Sequence, residues 1–208
     1  MNISKFLLID TFLAISAIPL IFFIKAGNIK SSNLRRSNKE NILGKTSIKL
    51  PEKAKLLELE KLARVKGSGI EFDSLVGNWK FISVWKKDTD DDNSIFSSLL
   101  RLFSANLELK KNISIEDQLV FFITVSIQFG IISIEFSGNA HLDGERPFLP
   151  FLFNRIELKS GTNTLLRKSL QVPAGMEKLF FELISIGENN HWLSARGQGG
   201  SLILWLKD

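Results

Sequence analysis

The chain has 208 residues, 44% of them hydrophobic, which is room for one folded domain with a sizeable core and an appendage. It contains no cysteine, which excludes disulfides, thiolate metal sites, a thiol nucleophile and lipid attachment at cysteine. The formal charge of +5 is unevenly spread: residues 1–68 hold 13 Lys and Arg against 5 Asp and Glu, and the remainder holds 14 against 17.

Residues 6–24, FLLIDTFLAISAIPLIFFI, are interrupted only by Asp10, Thr11, Ser16 and Pro19, and are just long enough for a tilted helix across ~30 Å of hydrocarbon. Asp10 then belongs among the amino-terminal headgroups, because a carboxylate in mid-membrane is costly. The competing reading is a cleaved signal peptide. An anchor is favoured because the run exceeds a usual signal core and passes straight into Lys25 without an A-x-A-like site. Lys5 alone precedes the span, whereas Lys25, Lys30, Arg35, Arg36, Lys39, Lys45 and Lys49 follow it, which predicts a cytoplasmic carboxyl-terminal side. Residues 1–27 therefore read as a membrane anchor and 28–50 as a basic linker, either drawn to anionic lipid or simply solvated. No aromatic residues interleave these cations, so nucleic acid is not an expected partner.

Pro51 opens a helix within 51–70 that Gly67 and Gly69 end. Leu56, Leu59, Leu62 and Ala63 form its apolar stripe, with Glu58, Glu60, Lys61 and Arg64 mainly around it, and its mixed charges predict docking on the rest of the domain. From Trp79 onward alternation of period two dominates, placing Trp79, Phe81, Ser83 and Trp85 on one side of a first strand. Asp92, Asn93 or Ser94 can cap a following helix with Ile95, Phe96, Leu99, Leu100 and Phe103 on its apolar face, either a ligand lid or a plug. Further strands are expected at about 105–112, 118–129, 131–138, 152–160, 164–172, 178–186, 190–196 and 201–206, by the strand and turn rules. Glycines between them favour consecutive hairpins over βαβ crossovers.

Two segments carry a family resemblance. LVGNWKFISVW resembles the opening glycine-x-tryptophan strand of the plastid lipid-associated (fibrillin) proteins, and WLSARGQGGSLILWLK resembles their closing arginine-glycine and apolar strand. Together they frame residues 71–208. The resemblance implies a mainly β fold, a lipocalin-like antiparallel β-barrel with short helices, preceded here by the transmembrane helix. It also implies binding of apolar molecules at the thylakoid or another photosynthetic membrane, in the cyanobacterial or plastid lineage. First and last strands pair in such barrels, so Gly77, Trp79, Arg196 and Gly197 are expected to form the closure, with Arg196 stacked on the Trp79 indole.

Seventeen Phe and no Tyr make an interior nearly free of hydroxyl groups, which suits a hydrocarbon or isoprenoid better than a polar metabolite. The candidate lining is Phe81, Trp85, Phe121, Phe129, Phe136, Phe151 and Phe181, with Arg146 or Arg155 at the mouth holding a headgroup or carboxylate. A barrel of this size can equally be filled by its own side chains, and then the stretch Phe148 to Phe153 becomes the surface for a membrane-protein partner. No catalytic motif is present. His141 and His191 stand far apart, the acidic run Asp88, Asp90, Asp91, Asp92 lacks the glycine and glutamate of a calcium loop, and GQGGS precedes a strand rather than a helix. Neither a metal nor a cofactor is expected, and the function read from the sequence is non-enzymatic lipid binding or buffering, with a structural or assembly factor as the alternative.

Overall fold

The computed structural model describes residues 49–86, 94–113, 119–144, 148–171 and 178–208. The apolar stretch at 6–24, the basic linker up to residue 48 and Arg146 lie outside the described residues. Among the described residues no helix is long and apolar enough to cross a membrane.

The elements are α1 (Lys53–Lys66), α2 (Phe72–Leu75), β1 (Gly77–Trp85), α3 (Ser94–Leu102), β2 (Asn106–Ile113), β3 (Leu119–Phe129), β4 (Ile132–His141), β5 (Phe148–Ser160), β6 (Asn163–Ser169), β7 (Leu179–Ile186), β8 (Trp192–Gly197) and β9 (Leu202–Lys207). The strands form one nine-stranded antiparallel sheet in the order β4-β3-β2-β1-β9-β8-β7-β5-β6, and an additional β4–β5 ladder closes it in a ring. Residues Phe148–Phe151 of β5 pair with β7, while Arg155–Ser160 pair with β6. β6 therefore hangs beside the ring rather than within it. β5 begins earlier than its alternation suggests, taking in Pro150, which pairs with Phe180 of β7 at a position the β4 ladder does not reach. A residue without an amide hydrogen is tolerated at such an edge-like position.

Register assigns every side chain to a face, because directly opposed residues point the same way. One inward row runs Trp79, Leu107, Val125, Phe136 and Ile156 across β1 to β5. β1 pairs with β9 as Phe81↔Trp205 and then, past a bulge, as Ser83↔Leu204, Val84↔Ile203 and Trp85↔Leu202. The extra residue at the bulge reverses the alternation. Val84 consequently joins Phe81 on the inner face, and Trp85 turns to the outer one, where uninterrupted alternation had put it inside.

β2 starts opposite Lys80, so the last residues of β1 lack a strand on that side. α3 supplies the missing partners. Ser97 Oγ accepts from the Val84 amide at 3.0 Å, the Arg101 guanidinium donates to the Ile82 carbonyl, and the Phe81 amide donates to Ala105 O at 3.1 Å. The expected helix is thus an edge cover for β1. The opposite end of the ring is closed by α2, which alternation did not reveal: Phe72 stacks on Phe121 at 3.8 Å, and Leu75 O accepts the Trp79 indole N–H at 2.7 Å.

The β4–β5 ladder shifts register between Ser137 and Gly138. A Cβ at Gly138 would stand 1.8 Å from the backbone oxygen of Leu152, with no flexible atom to give way. Gly138→Ala is expected to cost about 3 kcal/mol or more, at or above the upper range for overpacking. Urea denaturation followed by tryptophan fluorescence reads this directly.

Candidate functional site

The seven candidate lining residues fall into three groups. Phe81, Phe121, Phe151 and Phe181 are inner-face residues and buried. Phe136 and Phe129 are also on the inner face, but Phe136 is half-buried and Phe129 exposed. Trp85 is buried on the outer face, opposite Leu202 and Arg196.

The buried rings form a continuous chain through the interior. Phe81 lies 5.2 Å from Trp205, Trp205 5.4 Å from Phe181, Phe181 5.0 Å from Phe151, Phe151 5.2 Å from Phe153 and Phe153 5.9 Å from Phe136. These are favourable tilted and edge-on separations. Trp205 is 0% exposed, and its indole N–H finds no hydrogen-bond acceptor among the described residues. A buried donor left in that state costs on the order of 1–3 kcal/mol.

Past Phe136 the chain of rings reaches a face that is not fully covered. Ile127, Ile134, Leu158 and Leu166 form one inward row, and Phe129 and Ile132 form the next. Ile127, Ile134 and Leu158 are half-buried, and Phe129, Ile132 and Leu166 are exposed. Neither β1 nor β2 lies over these rows, since the β2–β3 ladder begins at Asn106↔Ser126. The result is an open, apolar mouth that leads inward to Phe136. Sequence reasoning missed its aliphatic residues, whose alternation was visible but whose lack of cover depends on where β2 begins.

On the outer face of the same strands the carboxylates are matched by cations. Lys159 bridges Glu135 and Glu157, and Arg167 Nε donates to Glu157 Oε1 at 2.6 Å. Burial pushes the Glu157 carboxyl up, but hydrogen bonds from Lys159 and Arg167 outweigh this and hold it below the usual carboxylate range. Arg155, expected at the mouth, is on this outer face, opposite Ser137 and 3.8 Å from Glu157.

The expected stack of Arg196 on Trp79 is replaced by two other contacts. β1 and β9 do pair, but Trp79 stands opposite Lys207, whereas Arg196 stands opposite Leu202, itself opposite Trp85. The two residues are therefore near opposite ends of β1, roughly 20 Å apart at the usual rise per strand residue. Lys207 Nζ lies 4.9 Å from the Trp79 ring centroid and takes the cation–π position. Gly77, beside the Lys207 side chain, has φ +140°, where a side chain would be strained. Gly197 sits at the β8–β9 turn, donating to Ser201 O and accepting from Gly200.

Arg196 instead anchors α1. Its Nε donates to Glu60 Oε1 at 2.6 Å, its Nη2 donates to Glu60 Oε2, and its Nη1 donates to Gly200 O at 2.6 Å. Arg64 adds a bond of 2.8 Å to the same carboxylate. Glu60 is 6% exposed, so the helix stripe buried against the sheet contains a carboxylate. The signal lay in its spacing, four residues after Leu56 and three before Ala63. Burial pushes the Glu60 carboxyl up, but hydrogen bonding and charge from Arg196, then Arg64, more than reverse that and hold it below its usual range.

No family model matches the chain, and neither a curated protein nor a solved structure does.

A lowered folded-state pKa gives stability that is complete above the unfolded value and lost as pH falls through the folded one. The wild type should therefore lose stability below about pH 4.5, and Glu60→Gln should show a shallower loss there, measured by urea titrations at stepped pH. Arg196→Leu, which strands Glu60 with Arg64 alone, should cost about 2–4 kcal/mol. Glu60→Leu combined with Arg196→Leu should recover much of that, because the desolvated carboxylate is gone.

Proposed function

We propose that the protein is a membrane-tethered, non-enzymatic binding protein for apolar lipids or isoprenoids, built as a lipocalin-like barrel of the fibrillin type. The observation that carries this reading is the apolar mouth of Ile127, Phe129, Ile132, Ile134, Leu158 and Leu166, continuous with the aromatic interior at Phe136. A mainly apolar surface with few polar groups suits an elongated hydrocarbon better than a polar metabolite. The placement at the cytoplasmic face of a photosynthetic membrane rests on the sequence resemblance and on the apolar stretch at 6–24.

A second reading is favoured by the ring-to-ring contacts that occupy the interior from Phe81 to Phe136. In it the barrel is filled, and the protein is a structural or assembly factor for a membrane-protein partner. The stretch first expected to form that partner surface is largely internal: Leu149, Pro150, Phe151 and Phe153 are buried in β5.

Mass spectrometry of organic extracts separates the two readings. Detergent-purified full-length protein should yield one lipid or pigment class near stoichiometry, and Ile134→Arg, still folded, should lose it. Bulk membrane lipid in both preparations would favour the filled barrel.

A further inference from the structure

The two ends of the ring differ in what they offer to solvent. At the α2 end exposed charges form pairs, Lys80 with Asp208 and Lys111 with Asp73 at 2.6 Å. At the mouth end, three segments meet in a tip without charge. Residues 102–107, 126–134 and 160–166 contain no Asp, Glu, Lys or Arg. The tip presents Leu102 at 67%, Phe129 at 55% and Ile131 at 72% exposure. Isolated apolar residues on a surface need no explanation, but these lie together at the rim of an apolar mouth.

The tip is also fixed in place. The Gln128 amide donates to Phe103 O at 2.7 Å, tying β3 to the end of α3, and the Gly161 amide donates to Ile131 O at 2.7 Å, tying the β5–β6 turn to the β3–β4 turn. The Phe103 and Phe129 rings lie 5.6 Å apart. Exposed side chains on a backbone already ordered lose little additional freedom when they enter another phase. The elements leading into the tip carry Arg101, Lys110, Lys111, Arg155, Lys159, Arg167 and Lys168 against Glu108, Glu135 and Glu157, an excess of cations even though Arg155, Lys159 and Arg167 pair with Glu135 and Glu157. Uncharged apolar tips backed by cations complement the interface of an anionic bilayer, where apolar side chains enter the acyl boundary and Lys and Arg remain among headgroups.

We propose that Leu102, Phe129 and Ile131 form a membrane-inserting tip, so that the mouth opens against the bilayer and apolar ligand passes between lipid and interior without crossing water. This deepens the proposed function and rests on the tethered reading of residues 6–24. Residues 25–48 can span at most about 80 Å when fully extended, enough to let the mouth end meet the same bilayer. A tether of that length raises the local concentration, so a shallow insertion is sufficient.

The chain lacks cysteine, so single labelling sites can be introduced in the full-length protein. Ile131→Cys carrying an environment-sensitive fluorophore is reconstituted in vesicles of phosphatidylcholine with phosphatidylglycerol, and Asn78→Cys at the α2 end serves as the control. For the Ile131 site, the emission should shift to the blue, lose most of its intensity to lipid-borne nitroxide and resist aqueous iodide. The Asn78 site should show the opposite pattern. Equal iodide quenching at both sites would overturn the inference. So would shielding of Ile131 from iodide without nitroxide quenching, which would indicate a protein partner. Lipid extraction of the same samples distinguishes the failures: retained ligand with an unimmersed tip removes only the docking geometry, and an immersed tip without ligand removes the binding reading and the ligand passage while leaving the docking in place.

Discussion

The ladder between β1 and β9 is the contact on which the remaining geometry depends. It joins strands near the two ends of the described chain and, with the β4–β5 ladder, leaves the sheet without a break around the ring. An antiparallel sheet that closes satisfies backbone groups that open edges would otherwise present. The bulge within this ladder has a second effect. It lets a single strand send Phe81 and Val84 to the interior and Trp85 to the face on which Arg196 holds α1. Without the reversal, Trp85 would enter an interior already occupied by Trp205 and Phe181, and the surface around Arg196 would lose a large apolar residue.

The buried charge in this molecule serves assembly. Glu60 accepts two bonds from Arg196 and one from Arg64, and its carboxyl is held below the usual range. The ladder of Glu135, Lys159, Glu157 and Arg167 acts similarly on the outer face, joining β4, β5 and β6 where β6 has no other strand partner. Matching these charges keeps the outer face of the mouth strands polar, while their inner face is largely apolar and carries Lys168 opposite Ile156.

The ring is also polar along its axis. α2 closes one end with Phe72 and Leu75, and at the mouth end, edged by α3, no strand among the described residues lies over β3 to β6. The difference arises from length: β3, β4 and β5 are 11, 10 and 13 residues long, whereas β2 has 8. Long strands project past a short neighbour, and their inward residues are left partly uncovered. The partly uncovered inward rows and the exposed apolar tip come from the same mismatch.

Much of the architecture was legible in the sequence. Period-two alternation marked Trp79 to Trp85 and Leu119 to Phe129 as strands, and the glycines at 130, 161 and 197–200 marked the turns. These are local properties, decided by neighbours along the chain, so they can be read without tertiary information. The apolar helix stripe at Leu56 was equally local. What required the folded molecule was every relation between distant residues: Glu60 rather than Trp79 as the partner of Arg196, Lys207 over Trp79, Trp85 outside, Arg155 away from the mouth, and Phe129 uncovered. Each depends on register, and register depends on the bulge in β1, the shift at Gly138 and the start of β2. One inserted residue changes the face of every residue beyond it, a consequence that composition and periodicity do not contain and only the closed sheet decides.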